Sequence, residues 1–147
     1  MKAVYQPPGL DEIRRFLQDI HTIAVVGLSP KTKRPSHQVA SALQGFGYRV
    51  IPVRPAVDRV LGERAYADLE QVPQGIDLVD VFRAPEHVDA IVDSCIKLKL
   101  PAIWLQDGVI NEPAAARAQQ AGLFVVMDRC IYRDYINLVS ANDQPQG

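Results

Sequence analysis

Five short apolar runs, spaced along the chain, constrain its fold more than any other feature of the sequence. They are rich in Val and Ile and are continuous, whereas a strand with one face in water alternates apolar and polar residues. Continuous runs of this length are typical of a parallel sheet with helices on both faces. The predicted strands are Thr22 to Val26, Arg49 to Val53, Leu78 to Phe82, Ala102 to Leu105, and Leu123 to Met127.

Helical patterns lie between these runs, the clearest being the apolar stripe from Val88 to Ile96. Asn111 is a good N-cap for the last pattern, and Gly47 and Gly122 lie where helices end. A short helix is expected at about Ala67 to Gln71, between the second and third strands. The alternation predicts an α/β fold, a doubly wound, five-stranded, mainly parallel sheet with helices on both faces.

The chain of 147 residues is expected to form one domain, 1–147, with a core at about 10–138. Its ends, Met1 to Gly9 and Ala141 to Gly147, are predicted to be frayed. A formal net charge of −1 disfavours nonspecific nucleic-acid binding. No apolar run approaches the roughly 20 residues that cross a bilayer, and no signal peptide is visible. We therefore expect a cytoplasmic protein that binds neither nucleic acid nor membrane.

A basic window interrupts this balanced charge, because the chain has no acidic residue between Asp19 and Asp58. The window includes the first predicted strand, a glycine turn at Gly27 and a helical pattern that begins near His37. A strand, a glycine turn and a helix N-terminus beside positive charge predict a phosphate-binding crevice. The cations of the window are Lys31, Lys33, Arg34, Arg49 and Arg54.

In open α/β sheets, ligands lie beyond the carboxyl ends of the strands, so the loops that follow the predicted strands are the candidate walls of a site. Many of the polar and charged residues of the chain lie in these loops. The loops are Gly27 to Ser36, Arg54 to Pro55, Arg83 to Pro85, Gln106 to Asn111, and Asp128 to Cys130.

The first loop has one glycine where the dinucleotide fingerprint G-x-G-x-x-G has three. At the end of the second strand, Arg54 stands where an NAD site has Asp or Glu. Arginine at this point suits an additional phosphate on the ribose, as in NADP or coenzyme A, and this reasoning leaves both ligands open. The first loop offers side-chain donors at Ser29, Lys33, Arg34 and Ser36.

Simpler roles compete with these interpretations. Ser36 fits a plain helix cap as well as a ligand contact, and Arg54 can pair with Asp58 or Glu63. An NADP-dependent oxidoreductase or another nucleotide-binding enzyme is the alternative to a noncatalytic CoA-binding protein. The missing glycines argue against the oxidoreductase.

Several stretches, in order and spacing over roughly Thr22 to Tyr132, carry a resemblance to a known family. They are Val26-Gly27-Leu28-Ser29, Arg34-Pro35-Ser36, Gly47 to Pro55, Leu61-Gly62-Glu63, Asp77 to Arg83, Trp104 to Glu112, and Val125 to Cys130. On these residues the chain resembles the small, single-domain CoA-binding proteins, which are related to the CoA-binding domain of the succinyl-CoA synthetase α subunit. The family usually has Asn at the position of Arg54.

The resemblance implies a Rossmann-like sheet with coenzyme A across its carboxyl edge. It implies a pyrophosphate site at Gly27, Ser29, Arg34 and Ser36, and an adenosine and 3′-phosphate site at Val53, Arg54 and Pro55. It implies that Phe82, Arg83 and Pro85 line the adenine or pantetheine side, and that Gln106, Gly108 and Asn111 approach the pantetheine end.

The function implied is noncatalytic binding of coenzyme A or an acyl-CoA, as a carrier, sensor or regulatory module. The synthetase takes its phosphorylated histidine from a later domain, which this sequence does not contain, so ligase activity is not expected. A homodimer and another protein partner both remain open. No His, Cys and Asp cluster has metal-ligand spacing, so no metal is expected.

Cys130 follows the fifth strand, near the place where the pantetheine thiol is expected. The adjacent Arg129 is expected to favour its thiolate, or else to pair with Asp128. We therefore hypothesise that Cys130 forms a mixed disulfide with coenzyme A, although an inert, half-buried cysteine fits the sequence better. Trp104 is predicted to be a core residue whose N–H donates to a nearby carbonyl.

Overall fold

The computed structural model describes residues 3–141, and its centre is a five-stranded parallel sheet. The sheet contains β1 (Thr22–Val26), β2 (Arg49–Val53), β5 (Leu78–Val81), β6 (Ala102–Leu105) and β7 (Phe124–Met127). Its order is β2-β1-β5-β6-β7, and all four neighbouring pairs are parallel. A separate antiparallel hairpin contains β3 (Arg59–Val60) and β4 (Glu63–Arg64).

Helices cover both faces of the sheet, which confirms the predicted doubly wound α/β class. They are α1 (Leu10–Asp19), α2 (Pro35–Gly45), α3 (Val88–Lys97), α4 (Glu112–Gln120) and α5 (Ile131–Asp134), which continues as a π-helical segment (Tyr135–Ser140). Short 3₁₀ turns lie at Leu69–Gln71 and Pro85–His87. Helices α1, α2 and α5 pack on one face of the sheet, and α3 and α4 pack on the other.

Alternation along the strands explains why the apolar runs are continuous. In β1, Ile23 and Val25 belong to the core beneath α1, α2 and α5, whereas Ala24 and Val26 belong to the core beneath α3 and α4. Successive strand residues point to opposite faces, so a strand covered on both sides favours an apolar residue at nearly every position.

Specific hydrogen bonds and backbone conformations define several helix and strand boundaries. The Oδ1 atom of Asn111 accepts a hydrogen bond from the N–H of Ala114 at 3.1 Å, which confirms the predicted N-cap of α4. Gly47 and Gly122 have φ values of 106° and 99° just after α2 and α4, as helix-ending glycines do. Asp77 accepts the N–H of Thr22 at 2.9 Å, and so ties the start of β5 to β1.

The structure differs from the sequence-based predictions at several boundaries. Phe82 and Leu123 lie just outside the strands predicted to contain them. The short helix after β2 is only the 3₁₀ turn Leu69–Gln71. The hairpin was not predicted, because its two-residue strands are too short for a periodic pattern. Its turn is formed by Leu61 and Gly62, both with positive φ, as a tight hairpin turn requires.

The prediction of a frayed N-terminus is wrong for part of that segment. The hydroxyl of Tyr5 donates to the carbonyl of Val125 at 3.1 Å, and Gln6 exchanges two hydrogen bonds with the side chain of Gln119. The segment before α1 is therefore fastened to α4 and β7. Residues 1–2 and 142–147 lie outside the described part of the chain. No helix in residues 3–141 combines the length and apolar character needed to cross a membrane.

Candidate functional site

A large crevice lies where the strand order reverses. The chain leaves β1 for β2 on one side, whereas β5 lies on the other side of β1, so the loops that follow β1 and β5 diverge. A cavity of about 690 Å³ opens between these loops, at the carboxyl edge of the sheet. Its lining residues are Gly27, Ser29, Pro30, Lys31, Arg34, Pro35, Ser36, Val39, Arg54, Phe82, Gln106, Asp107, Val109 and Cys130.

Gly27 makes the turn at the base of this crevice. Its N–H donates to the carbonyl of Val53 at 2.9 Å, and its φ is 88°. A Cβ atom at this position would lie 2.4 Å from the carbonyl oxygen of Phe82. Only glycine therefore satisfies both the backbone conformation and the close approach between the ends of β1 and β5.

The loop between Gly27 and α2 is closed by two buried serines. The N–H of Ser29 donates to the hydroxyl oxygen of Ser36 at 3.0 Å, and the hydroxyl oxygen of Ser29 accepts from the N–H of Lys31 at 3.1 Å. The ring Nδ1 of His37 lies 2.9 Å from the carbonyl oxygen of Ser29. The interpretation of Ser36 as a helix cap is wrong, because Arg34 occupies the N-cap position and Ser36 lies inside the first turn of α2.

Three cations line the crevice near this loop, namely Lys31, Arg34 and Arg54. None of them forms an ion pair within residues 3–141. Among residues 3–141, the guanidinium of Arg54 donates only to the carbonyl of Gly27, at 3.4 Å. The expected pairing of Arg54 with Asp58 or Glu63 is therefore wrong.

The crevice continues around the edge of the sheet. A depression of about 460 Å³ shares Gly27, Arg54 and Phe82 with the main cavity and extends over Pro55 and Arg83. A smaller cavity of about 180 Å³ lies beyond these two residues, on the face covered by α3. An elongated ligand thus has a continuous path from the main cavity across the ends of β1 and β2.

The opposite end of the main cavity is formed by the loops that follow β6 and β7. Gln106 is buried there, and its Oε1 accepts from the N–H of Ile131 at 3.1 Å. Asp107 forms two 2.9 Å contacts with the guanidinium of Arg133. This hydrogen-bonded pairing holds the pKa of Asp107 below its usual range.

Arg129, which was predicted to act on Cys130 or to pair with Asp128, pairs with Asp134 instead. Its guanidinium binds the buried carboxylate of Asp134 through contacts of 2.6 and 2.8 Å, and these hydrogen bonds raise the pKa of Arg129. Asp128 accepts instead from the N–H of Gly108 at 2.7 Å, so the expected pairing of Asp128 with Arg129 is wrong. Trp104 is fully buried and its N–H donates to the carbonyl of Arg129 at 2.7 Å, which confirms its predicted role.

The structure brings most of the predicted site residues together. The main cavity is lined by Gly27, Ser29, Arg34, Ser36, Arg54, Phe82, Gln106 and Cys130, and the adjoining cavities by Val53, Pro55 and Arg83. The cavity linings do not include Lys33, Pro85, Gly108 or Asn111. The side-chain amide of Asn111 donates to the carbonyl of Pro85 at 3.3 Å and so joins two loops.

Sequence reasoning left several lining residues out of the predicted set, among them Pro30, Lys31, Val39, Asp107 and Val109. Asp107 and Val109 lie within the predicted loop from Gln106 to Asn111, so their positions were available from the strand assignment. Val39 lies within α2 and lines the cavity from one face of that helix. A prediction based on strand ends does not identify such a residue.

One ionisable group lies beneath the crevice without a partner. Asp80 is fully buried in β5 between Val25 and Trp104, two residues before Phe82. Neither carboxyl oxygen has a hydrogen-bond partner among residues 3–141. Burial raises the pKa of Asp80 well above its ordinary value. The described residues contain no group of three or more His, Cys, Asp or Glu side chains that could hold a metal ion.

Comparison with known proteins identifies a family for this architecture. The family described as the CoA binding domain matches residues 21–135. An uncharacterized protein of Bacillus subtilis, YneT, is 40% identical over 126 residues, which cover 86% of this chain and 93% of that protein.

Two further relatives differ in length. A hypothetical protein from Pyrococcus horikoshii has a solved structure with a TM-score of 0.87 and 34% identity, and the match covers 91% of this chain and 96% of that one. The 4-hydroxybutyrate–CoA ligase (ADP-forming) of Nitrosopumilus maritimus is 29% identical over 103 residues. That match covers 67% of this chain but only 15% of the ligase.

Proposed function

This chain belongs to the CoA-binding domain family, and on that premise we propose that it binds coenzyme A or an acyl-CoA at the carboxyl edge of its sheet. In this proposal the protein is a noncatalytic carrier, sensor or regulatory module. Its match to a CoA ligase covers only 15% of that enzyme, so the ligase reaction is not part of the proposal.

The distribution of charge along the crevice is the observation that carries this proposal. At one end, Lys31, Arg34 and Arg54 have no acidic partner within residues 3–141, and the N-terminus of α2 adds a positive dipole. At the other end, Asp107 and Arg133 neutralise each other. Coenzyme A has the matching polarity, with phosphates at one end and a long neutral arm at the other.

Arg54 is proposed to contact the 3′-phosphate. It lies directly after β2, where an open α/β sheet holds the ribose of a bound nucleotide. Within the described part of the chain its guanidinium makes a single long hydrogen bond, at 3.4 Å to the carbonyl of Gly27, which leaves it available to a phosphate.

Isothermal titration calorimetry with coenzyme A, dephospho-CoA and NADPH tests the proposal. We expect coenzyme A to bind with a Kd in the micromolar range or below, and dephospho-CoA to bind more weakly. The variant Arg54→Ala should lose about 1.5–3 kcal/mol of binding free energy for coenzyme A and little for dephospho-CoA, because only the former carries the phosphate that Arg54 contacts.

The matched control is Arg15→Ala, which removes an exposed cation of α1 that does not line the crevice. Its affinity for coenzyme A should equal that of the parent protein. Equal affinity of the parent for coenzyme A and dephospho-CoA would remove Arg54 from the site. Tighter binding of NADPH than of coenzyme A would favour the oxidoreductase alternative, and no heat with any of the three ligands would refute the proposal.

A further inference from the structure

The side chain of Gln106, which lines the crevice, has an amide group whose two N–H donors are unused among residues 3–141. Its Oε1 must face the backbone of Ile131, because an N–H group can only donate, and the two atoms are 3.1 Å apart. The amide nitrogen therefore faces away from Ile131, and it has no partner among residues 3–141. Gln106 is 5% exposed and lines the main cavity. The nitrogen is not among the fully buried atoms that lack a partner, so it is accessible from the cavity and can donate to a ligand there.

Cys130 lines the same cavity as this amide. It precedes Ile131, which holds the Gln106 side chain, and it lines the same cavity as a free, half-buried thiol. The other cysteine, Cys95, is fully buried on the inner face of α3, and burial raises its pKa to about 12. The two thiols of the chain thus differ sharply in access to the crevice.

The sheet geometry relates Cys130 to the phosphate-binding loop. Gly27 follows β1, Cys130 follows β7, and the strands between them are β5 and β6. Three strand spacings correspond to about 14 Å. The pantetheine arm from phosphorus to sulfur is a chain of about a dozen bonds, comparable to four extended residues, or about 14 Å. A coenzyme whose pyrophosphate lies beside Gly27 therefore brings its sulfur to Cys130 and its amide groups past Gln106.

From these observations we propose that Cys130 is a site of reversible S-thiolation by coenzyme A bound in the crevice, with Gln106 as the residue that positions the arm. The proposal rests on the proposed binding of the coenzyme. The co-reactant is a disulfide of the coenzyme, either with itself or with another thiol.

The reaction is thiol–disulfide exchange. The thiolate of Cys130 attacks one sulfur of the disulfide, a new bond forms between Cys130 and the coenzyme, and the original disulfide bond breaks. The Cys130 sulfur is oxidised and the departing sulfur is reduced, and the latter leaves as a thiolate that takes up the proton Cys130 lost. Gln106 donates its free N–H to a neutral carbonyl oxygen of the arm, which keeps the bound sulfur beside Cys130.

Intact mass spectrometry of the reduced protein after incubation with CoA disulfide tests this inference. Denaturation without reductant separates a covalent adduct from bound coenzyme, and peptide mapping locates it. We expect one adduct, at Cys130, formed about tenfold or more faster than with glutathione disulfide at the same concentration, because binding raises the local concentration of the disulfide. S-methyl-CoA, which cannot exchange, should slow the reaction with CoA disulfide.

The matched variants are Cys130→Ser, which should form no adduct, and Gln106→Glu, which keeps an acceptor for Ile131 but removes the donor. Gln106→Glu should lower the rate of adduct formation with CoA disulfide and leave the rate with glutathione disulfide unchanged. Equal parental rates with the two disulfides, or an adduct mapped to Cys95, would overturn the inference. Native mass spectra that show coenzyme bound to a protein without any covalent adduct would overturn it and leave the proposed function standing. Absence of both bound and covalent coenzyme would overturn both.

Discussion

The carboxyl group of Asp80 predicts an unusual dependence of stability on pH. It is fully buried in the central strand β5, and neither oxygen has a hydrogen-bond partner among residues 3–141. Burial without a compensating partner favours the neutral form, so the pKa of Asp80 in the folded protein is raised well above its ordinary value. The perturbation we choose is Asp80→Asn, which keeps the size of the side chain and cannot ionise.

The sign and size of the effect follow from proton linkage. Above about pH 4 the unfolded chain releases the Asp80 proton, whereas the folded protein keeps it. Each pH unit then lowers the free energy of unfolding by about 1.4 kcal/mol. This loss continues until the pH reaches the folded pKa, where both states are ionised and the contribution becomes constant. Asp80→Asn removes this pH dependence. The free energy of unfolding of the variant, minus that of the parent, should therefore rise by about 1.4 kcal/mol for each pH unit in this range.

Urea unfolding at intervals of half a pH unit, from pH 4.5 upward, measures this difference. The single tryptophan, Trp104, is buried in the neighbouring strand and reports unfolding through its fluorescence. The control is Asp58→Asn, which removes an exposed carboxyl and the same charge. The control should not show the slope, and the pH at which the Asp80→Asn curve flattens gives the folded pKa of Asp80.

A constant stability difference between Asp80→Asn and the parent over the whole pH range would refute this reasoning. A difference that falls as the pH rises would mean that the folded state favours the carboxylate, and hence that Asp80 has a cationic or hydrogen-bonding partner. A fixed offset between the two proteins has no bearing on the test, because it reports packing and hydrogen bonding of the Asn amide.

Two other substitutions have defined outcomes. Gly27→Ala should destabilise the protein by more than about 1 kcal/mol in urea unfolding, because its Cβ would meet the carbonyl of Phe82 at 2.4 Å and its φ is 88°. Unchanged stability would show that β1 and β5 can separate freely at this edge. Arg129→Ala should cost about 3 kcal/mol near pH 7, because it leaves the buried carboxylate of Asp134 without its partner. Arg133→Ala, which breaks the exposed pair with Asp107, should lower the free energy of unfolding by less than about 1 kcal/mol. Equal losses of stability for the two arginine variants would contradict this account.

The sheet was predictable from the sequence because its signal is local. A strand covered on both faces is largely apolar, Asp80 in β5 being an exception, and each of the five predicted runs contains one of the five strands. The hairpin at Arg59 to Arg64 and the C-terminal helix carry no comparable signal. The first has strands of two residues, and the second begins directly after a crevice loop, where Cys130 and Arg129 suggested ligand contacts rather than a helix start.

The sequence predicts which loops form the site, but not which side chains within it pair with one another. The ends of parallel strands place the loops after β1, β2, β5, β6 and β7 at one edge of the sheet. Residues as distant in sequence as Gly27 and Cys130 therefore line one cavity. The choice of partner depends on side-chain conformations and on competing acids. Arg129 therefore pairs with Asp134, five residues further along the chain, rather than with the adjacent Asp128, and Ser36 accepts a hydrogen bond from Ser29 rather than capping its own helix.

The back wall of the crevice is joined to α5 by contacts that lie far apart in the sequence. Ile131 fixes the amide of Gln106, and Arg133 holds Asp107. During synthesis, a nascent chain that has emerged only as far as β7 contains every strand of the sheet but not these contacts. The pocket would therefore be completed only after the sheet, when the segment beyond β7 leaves the ribosome.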